Sequence, residues 1–269
     1  AISHAIYDDA KSFNPAHIKK PSIIFIKTDL LFNFFRHIYP HIKAPIILIT
    51  HNSDKSAPGK YLSRLNDKKI IHWFASNPSV AHHHKLSPIP IGIGNAYTNH
   101  GDINNFNLIR NELDQITEKE HLLHINFTIV TNREDRSYAM QQLIYNQSPR
   151  FYFGENVIHA NYLRQISSST FTASPKGGGL DCHRTWEALL FNTIPIVVTS
   201  ELDSIYKDLP VLIINDWNEV TDEFLCKKEH EIKQQTFNHE KIFMPYWEKK
   251  IQDCLKQYKN KKKNLDPAF

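Results

Sequence analysis

Residues 174–187 read Ser-Pro-Lys-Gly-Gly-Gly-Leu-Asp-Cys-His-Arg-Thr-Trp-Glu, and Gly177, Gly178 and Gly179 are three of only eight glycines in 269 residues. A glycine run lets the backbone approach a ligand without a Cβ in the way. The residues that follow predict a helix capped by Asp181, a good N-cap type. His183 and Arg184 then fall in its first turn, where the helix already carries roughly half a positive charge. A cation there is unfavourable by ~0.3–1 kcal/mol. A bound anion reverses the sign: a phosphate would gain backbone N–H groups, the helix dipole and two basic side chains. Glu187, one turn deeper, is a carboxylate that could accept hydrogen bonds from paired sugar hydroxyls. Phosphate followed by a diol is the outline of a nucleotide. Ser174 and Lys176, in the same loop, belong to this candidate set. A purely structural reading stands beside it. Gly-rich turns before helices are common, and Arg184 and Glu187 are spaced i, i+3 to pair with each other.

The familiar phosphate loops do not fit. The stretch has no GxxxxGK[ST] pattern, and no third glycine stands at the offset of a GxGxxG dinucleotide fingerprint. Arg133 and Arg136, just after an apolar run, could also reach a phosphate, although each taken alone reads as a surface arginine. His82, His83 and His84 are adjacent, and adjacent side chains do not converge on one metal ion.

Alternating strands and helices must position these residues. In the first half, 22–27, 45–50 and 69–75 are apolar strand-length runs, 28–38 predicts a helix capped by Thr28 or Asp29, and 88–95 is extended. Residues 103–118 predict a polar helix. Strands at 124–131, 150–153, 169–174, 194–198 and 211–214 then alternate with helices at 134–145, 157–167, 181–191 and 201–206, and 219–260 is helical. On the helix at 181–191, at about 100° per residue, Cys182, Trp186, Leu189 and Leu190 share a core arc, and His183, Arg184 and Glu187 share a polar one. Repeated β-α-β units predict an α/β protein with two doubly wound, Rossmann-like domains facing across a cleft. The division falls near 115–120, giving domains 1–118 and 119–269, the latter with the C-terminal helices. Ligands of such sheets bind beyond the C-terminal ends of the strands, where 51–54, 131–135 and 174–181 fall.

The net charge of +4 comes from 32 basic and 28 acidic residues, and Lys259–Lys263 (KNKKK) supplies much of it as a solvated tail. No basic stripe is interleaved with aromatics, which argues against nucleic-acid binding. No apolar run is long enough to span a bilayer, and no signal peptide is visible. Cys182, Cys226 and Cys254 are odd in number and far apart, as expected of free thiols in a reducing compartment. The expectation is a soluble protein, cytoplasmic rather than lumenal.

The stretch SPKGGGLDCHRTWEALLFNTIPIVVTSELDSIYKDLPVLIINDW, 174–217, resembles the donor-side half of exostosin-like glycosyltransferases. That family shows a Gly-rich turn, Asp-x-His-Arg, Trp-Glu-Ala-Leu and an Ile-Pro-Ile strand in this order. Upstream, INFTIVTNREDR and ITHNSD also fit its relatives. The strong match covers about 45 residues; the first half matches loosely. The resemblance implies the GT-B architecture of two facing Rossmann-like domains. It implies a nucleotide-sugar donor on the second domain and a glycan or glycoprotein acceptor on the first. It implies transfer of the sugar with inversion, the nucleotide-sugar being a substrate rather than a cofactor. By position, Arg184 and Gly177–Gly179 would hold the diphosphate, His183 and Asp181 would shape that site, and Glu187 would bind the ribose hydroxyls.

The chain has no Asp-x-Asp metal motif, so Arg, His and helix dipoles must balance the leaving diphosphate. Inversion needs a base for the acceptor hydroxyl. Asp54 is the first candidate, His51 the second and Asp29 the third; Asp54 reads equally as a loop cap. The alternatives are a non-catalytic nucleotide- or carbohydrate-binding module, which needs no base near 51–54, and an unfamiliar phosphotransferase.

Overall fold

The computed structural model describes residues 5–7, 14–113 and 118–265. The chain forms two compact units: one of residues up to Pro90 together with Phe243 onward, the other of Ile91–Ile242. The division therefore falls after Pro90, not near 118, and the last helix belongs to the first unit. Residues 91–113 are tied to the second unit by two bonds that no local pattern announces. The Ile91 amide donates to Asp181 at 2.7 Å, and His183 Nδ1 lies 2.6 Å from the Gly92 carbonyl oxygen.

The first unit carries a parallel sheet of β1 (Ala5–Tyr7), β2 (Ser22–Lys27), β3 (Ile46–His51), β4 (Ile70–Ala75) and β5 (Leu86–Pro88), in that order across the sheet. Ile23, Ile24, Ile26 and Ile46–Ile49 are buried without alternation, as expected of parallel strands covered on both faces. The buried Trp73 indole donates to Thr50 Oγ1 at 2.9 Å, so its polar edge is satisfied. The predicted helix at 28–38 is broken: a 3-10 turn (Thr28–Leu30), α1 (Leu31–Asn33), a π turn (Phe34–Ile38) and a second 3-10 turn (Tyr39–His41). Adjacent Phe34 and Phe35 are both buried, with ring centroids 5.3 Å apart, and Pro40 cannot donate to a continuing helix.

The second unit begins with α2 (Ile103–Leu113). It continues through β6 (His121–Ile125), α3 (Arg133–Tyr145), β7 (Phe151–Phe153), α4 (His159–Ser167), β8 (Ser169–Ala173), α5 (His183–Leu190), β9 (Ile194–Val198), α6 (Asp203–Tyr206), β10 (Leu212–Ile214) and α7 (Asp222–Lys233). Its strands are all parallel, in the order β10-β9-β8-β6-β7. The first sheet runs in chain order. The second reverses at β6, so a topological switch point lies between β6 and β8, where open α/β sheets form a crevice at the strand ends. The loops 126–132 and 174–182 leave β6 and β8 at this point.

The second core centres on Leu123, Ile125, Phe171 and Ile196, and a smaller cluster of Phe106, Ile109, Leu163 and Phe191 fastens α2 to α4 and the end of α5. In the first unit, α8 (Met244–Leu265) packs against β4 through buried Trp247, Ile251 and Leu255. Lys259–Lys263 continue this helix rather than forming a tail, and Lys261–Lys263 are exposed. Among the described residues no helix is long and apolar enough to cross a membrane.

Candidate functional site

The glycine loop is held by Arg136, which is 6% exposed. Its Nε donates to the Lys176 carbonyl at 3.0 Å, Nη1 to Thr128 at 2.7 Å and Nη2 to Pro175 at 3.3 Å. One guanidinium thus staples the loop after β8 to the loop after β6. A Cβ on Gly177 would stand 3.0 Å from Arg136 Nη2, so the missing side chain there admits the guanidinium. None of the three loop glycines is among the residues with positive φ. Asn132 adds a second tie: its Oδ1 caps α3 at the Asp135 amide, and its Nδ2 donates to the Gly177 carbonyl at 3.0 Å. Arg136, a phosphate candidate in the sequence, has its donors engaged in shaping the loop.

Helix α5 starts one residue later than the sequence suggests. Cys182 is the N-cap, with no side-chain cap bond, so the first N–H groups lack the usual cap partner. Asp181 is 4% exposed and works as a tether. Its carboxylate accepts from Ile91 N, from Trp186 Nε1 at 2.8 Å and from Cys182 N at 2.9 Å. Burial pushes its pKa up to about 6, against the pull of those donors. Burial also raises the Cys182 thiol above its ordinary value, which argues against a nucleophile. His183 opens the helix with Nδ1 turned to Gly92, a glycine at φ +70°. The carbonyl oxygen can only accept, so Nδ1 carries the proton of that bond.

Arg184 donates from Nε to Tyr162 Oη at 3.0 Å, while its buried Nη1 has no partner among the described residues. Arg184 and Arg136 both lie against the Phe127 ring, at 5.8 and 6.0 Å from its centroid. Among the described residues neither guanidinium hydrogen-bonds a carboxylate. Glu187 is not paired with Arg184 and is not on an open polar face. It is 3% exposed beneath α4, and its Oε1 lies 3.2 Å from His159 Nε2. A buried His124 completes the polar cluster: Nδ1 is 3.0 Å from Thr172 Oγ1, and burial pulls its pKa down to about 3.

The other candidates are dispersed. Ser174 Oγ is buried 2.9 Å from Thr185 Oγ1 and holds the loop to α5. Lys176 is exposed and pairs with Asp135 at 3.3 Å. Arg133 is exposed. In the first unit Asp54 is exposed at the end of the β3 loop. Both ring nitrogens of His51 are engaged, Nδ1 with Asn52 at 2.8 Å and Nε2 with the Pro90 carbonyl at 3.0 Å. Lys55, 2.9 Å from Asp29, holds that carboxyl below its ordinary value. His83 and His84 stack with centroids 4.5 Å apart, and among the described residues no group of three or more His, Cys, Asp or Glu is placed to hold a metal ion. The sequence reading misses Asn132, Tyr162, His159 and His124. Asn132 carries a legible signal, an Asn before an acidic first turn; the other three are brought in by α4 and β6 and carry none.

No family model matches the chain, and no curated protein sequence matches it. Among solved structures, HepE of Anabaena, in complex with UDP-glucose, aligns at TM-score 0.44 and 11% identity over 87% of this chain and 78% of its own. The N-terminal domain of Candida albicans trehalose-6-phosphate phosphatase aligns at 0.39 and 14% identity, over 90% and 71%. The GtfA/B complex aligns at 0.39 and 11%, over 87% and 57%. Likenesses at this level decide nothing about function.

Proposed function

We propose that the chain is a glycosyltransferase that takes a sugar from a nucleoside-diphosphate sugar and passes it to a glycan hydroxyl, with inversion and without a metal ion. One observation carries this reading: two largely buried guanidiniums, Arg136 and Arg184, stand beside a glycine loop, and among the described residues no carboxylate hydrogen-bonds either and the buried Nη1 of Arg184 has no partner. A charge in such surroundings calls for an anion, and the uncapped start of α5 adds N–H groups of the same sign. Arg136 and Asn132 fix the loop; Arg184, with the α5 terminus, takes the diphosphate; Glu187 takes the ribose hydroxyls.

In the transfer, the acceptor oxygen bonds to the anomeric carbon as the bond to the diphosphate oxygen breaks. The acceptor proton passes to a base, which we assign to Asp54, because His51 has both nitrogens engaged and Asp29 is paired. Charge on the departing diphosphate is met by Arg184 and the helix terminus, a fixed electrostatic role. The test is titration calorimetry with UDP, GDP and ADP, and turnover of the matching sugar nucleotides, for wild type, Arg184→Ala and Asp54→Ala. Arg184→Ala should weaken the bound nucleotide by roughly 10- to 150-fold, the worth of charge-assisted hydrogen bonds. Asp54→Ala should keep affinity and lose turnover. Unchanged affinity in Arg184→Ala refutes the phosphate assignment, and binding without turnover in the wild type favours a binding module.

A further inference from the structure

We infer that His159 is a positioning residue for Glu187 and that the pair selects a ribose diol over its 2′-deoxy counterpart; this rests on the nucleotide reading above. The two side chains are each only 4% exposed and meet at 3.2 Å. A buried carboxylate–imidazole pair is weak support for a fold, since an apolar pair of similar volume often serves as well or better. Here the geometry is that of a held carboxylate. The His159 ring is fixed on several sides: edge-on to His100 at 5.1 Å and to Phe106 at 5.5 Å, and stacked on Tyr162 at 6.1 Å. Its Nε2 is thereby aimed at Glu187 Oε1.

Nδ1 of His159 is buried and has no partner among the described residues. A proton placed there would be a buried donor with no acceptor, so the hydrogen-bond network puts the proton on Nε2, donated to the carboxylate. Glu187 Oε2 is different. It makes no hydrogen bond among the described residues, yet it is not one of the fully enclosed unpartnered atoms. One oxygen is locked and the other is left to accept. Arg184 and Glu187, at i and i+3, are neighbours on one helix face. The 5′-phosphate and the 2′,3′-diol of a nucleotide are carried by one sugar ring. A carboxylate free to swing would gain little from either hydroxyl; one held by His159 is ready for a vicinal pair.

The experiment measures dissociation constants of the full chain for UDP, GDP and ADP against their 2′-deoxy forms. Wild type should prefer the ribose form of the nucleotide it binds by about tenfold, the worth of one hydrogen bond to a charged group. His159→Phe, which keeps a ring among the rings around it, should bring that ratio close to one. His159→Gln, whose amide can donate to the same oxygen, should retain most of it. A purely structural role would weaken both forms equally and leave the ratio alone. A folded His159→Phe with the wild-type ratio overturns the inference while leaving the nucleotide reading intact. Wild type that binds none of the six nucleotides overturns both. If His159→Phe does not fold, His159→Leu supplies the same ratio.

Discussion

Arg136→Lys separates a loop staple from a phosphate ligand. The guanidinium reaches three backbone carbonyls on two loops, those of Thr128, Pro175 and Lys176. A lysine ammonium is a point charge on a straight stem and cannot span this fork. It would keep one carbonyl and leave two without their donor. Hydrogen bonds to a charged group contribute about 1.5–3 kcal/mol each. Taking the low end, because the charge itself is retained, the second unit should lose about 3 kcal/mol. Native-state hydrogen exchange read on the β6 and β8 amides reports this unit separately from the first. A loss below 1 kcal/mol, together with nucleotide affinity reduced tenfold or more, would refute the staple and restore Arg136 to the ligand set.

Two further outcomes are expected. Burial holds His124 at about pKa 3 in the folded chain, against an ordinary value near 6.5. The unfolded chain therefore takes up the proton first as pH falls, and His124 contributes stability that is fully present above about pH 6.5 and lost progressively towards pH 3. The full loss is up to about 5 kcal/mol; a comparison at pH 6.5 and 4.5 should show roughly half of it, and His124→Phe should flatten the slope. Coincident slopes would show that His124 does not titrate in this way. Because Ile91–Ile242 is continuous and has its own sheet and core, that segment made alone should fold cooperatively, with dispersed amide resonances; a non-cooperative, dye-binding state would disprove its autonomy.

Strands are legible where burial on both faces leaves continuous apolar runs, as at 22–27, 46–51 and 194–198. The three-residue β1 offers no such run, and the order of strands across a sheet has no local signature. Helix α5 is visible in outline, yet a helical wheel tells only which residues share a face. It cannot tell that α4 covers Glu187, or that His159 waits there. The same blindness moves the boundary to Pro90. Asp181 holds an amide ninety positions away, and nothing between them announces it. The partners of Arg136 are hidden for a related reason: an arginine after a strand looks the same whether its partners are ligand oxygens or the carbonyls of a loop.

The placement of α8 in the first unit has a consequence for biosynthesis. Its buried Trp247, Ile251 and Leu255 pack against a sheet whose strands end at Pro88. At about 5–20 residues per second, a ribosome needs roughly 10–30 s to pass from one to the other. The second unit can close within that interval, while the first waits with an uncovered apolar surface. The half-made first unit, rather than the finished chain, is the species most in need of a chaperone.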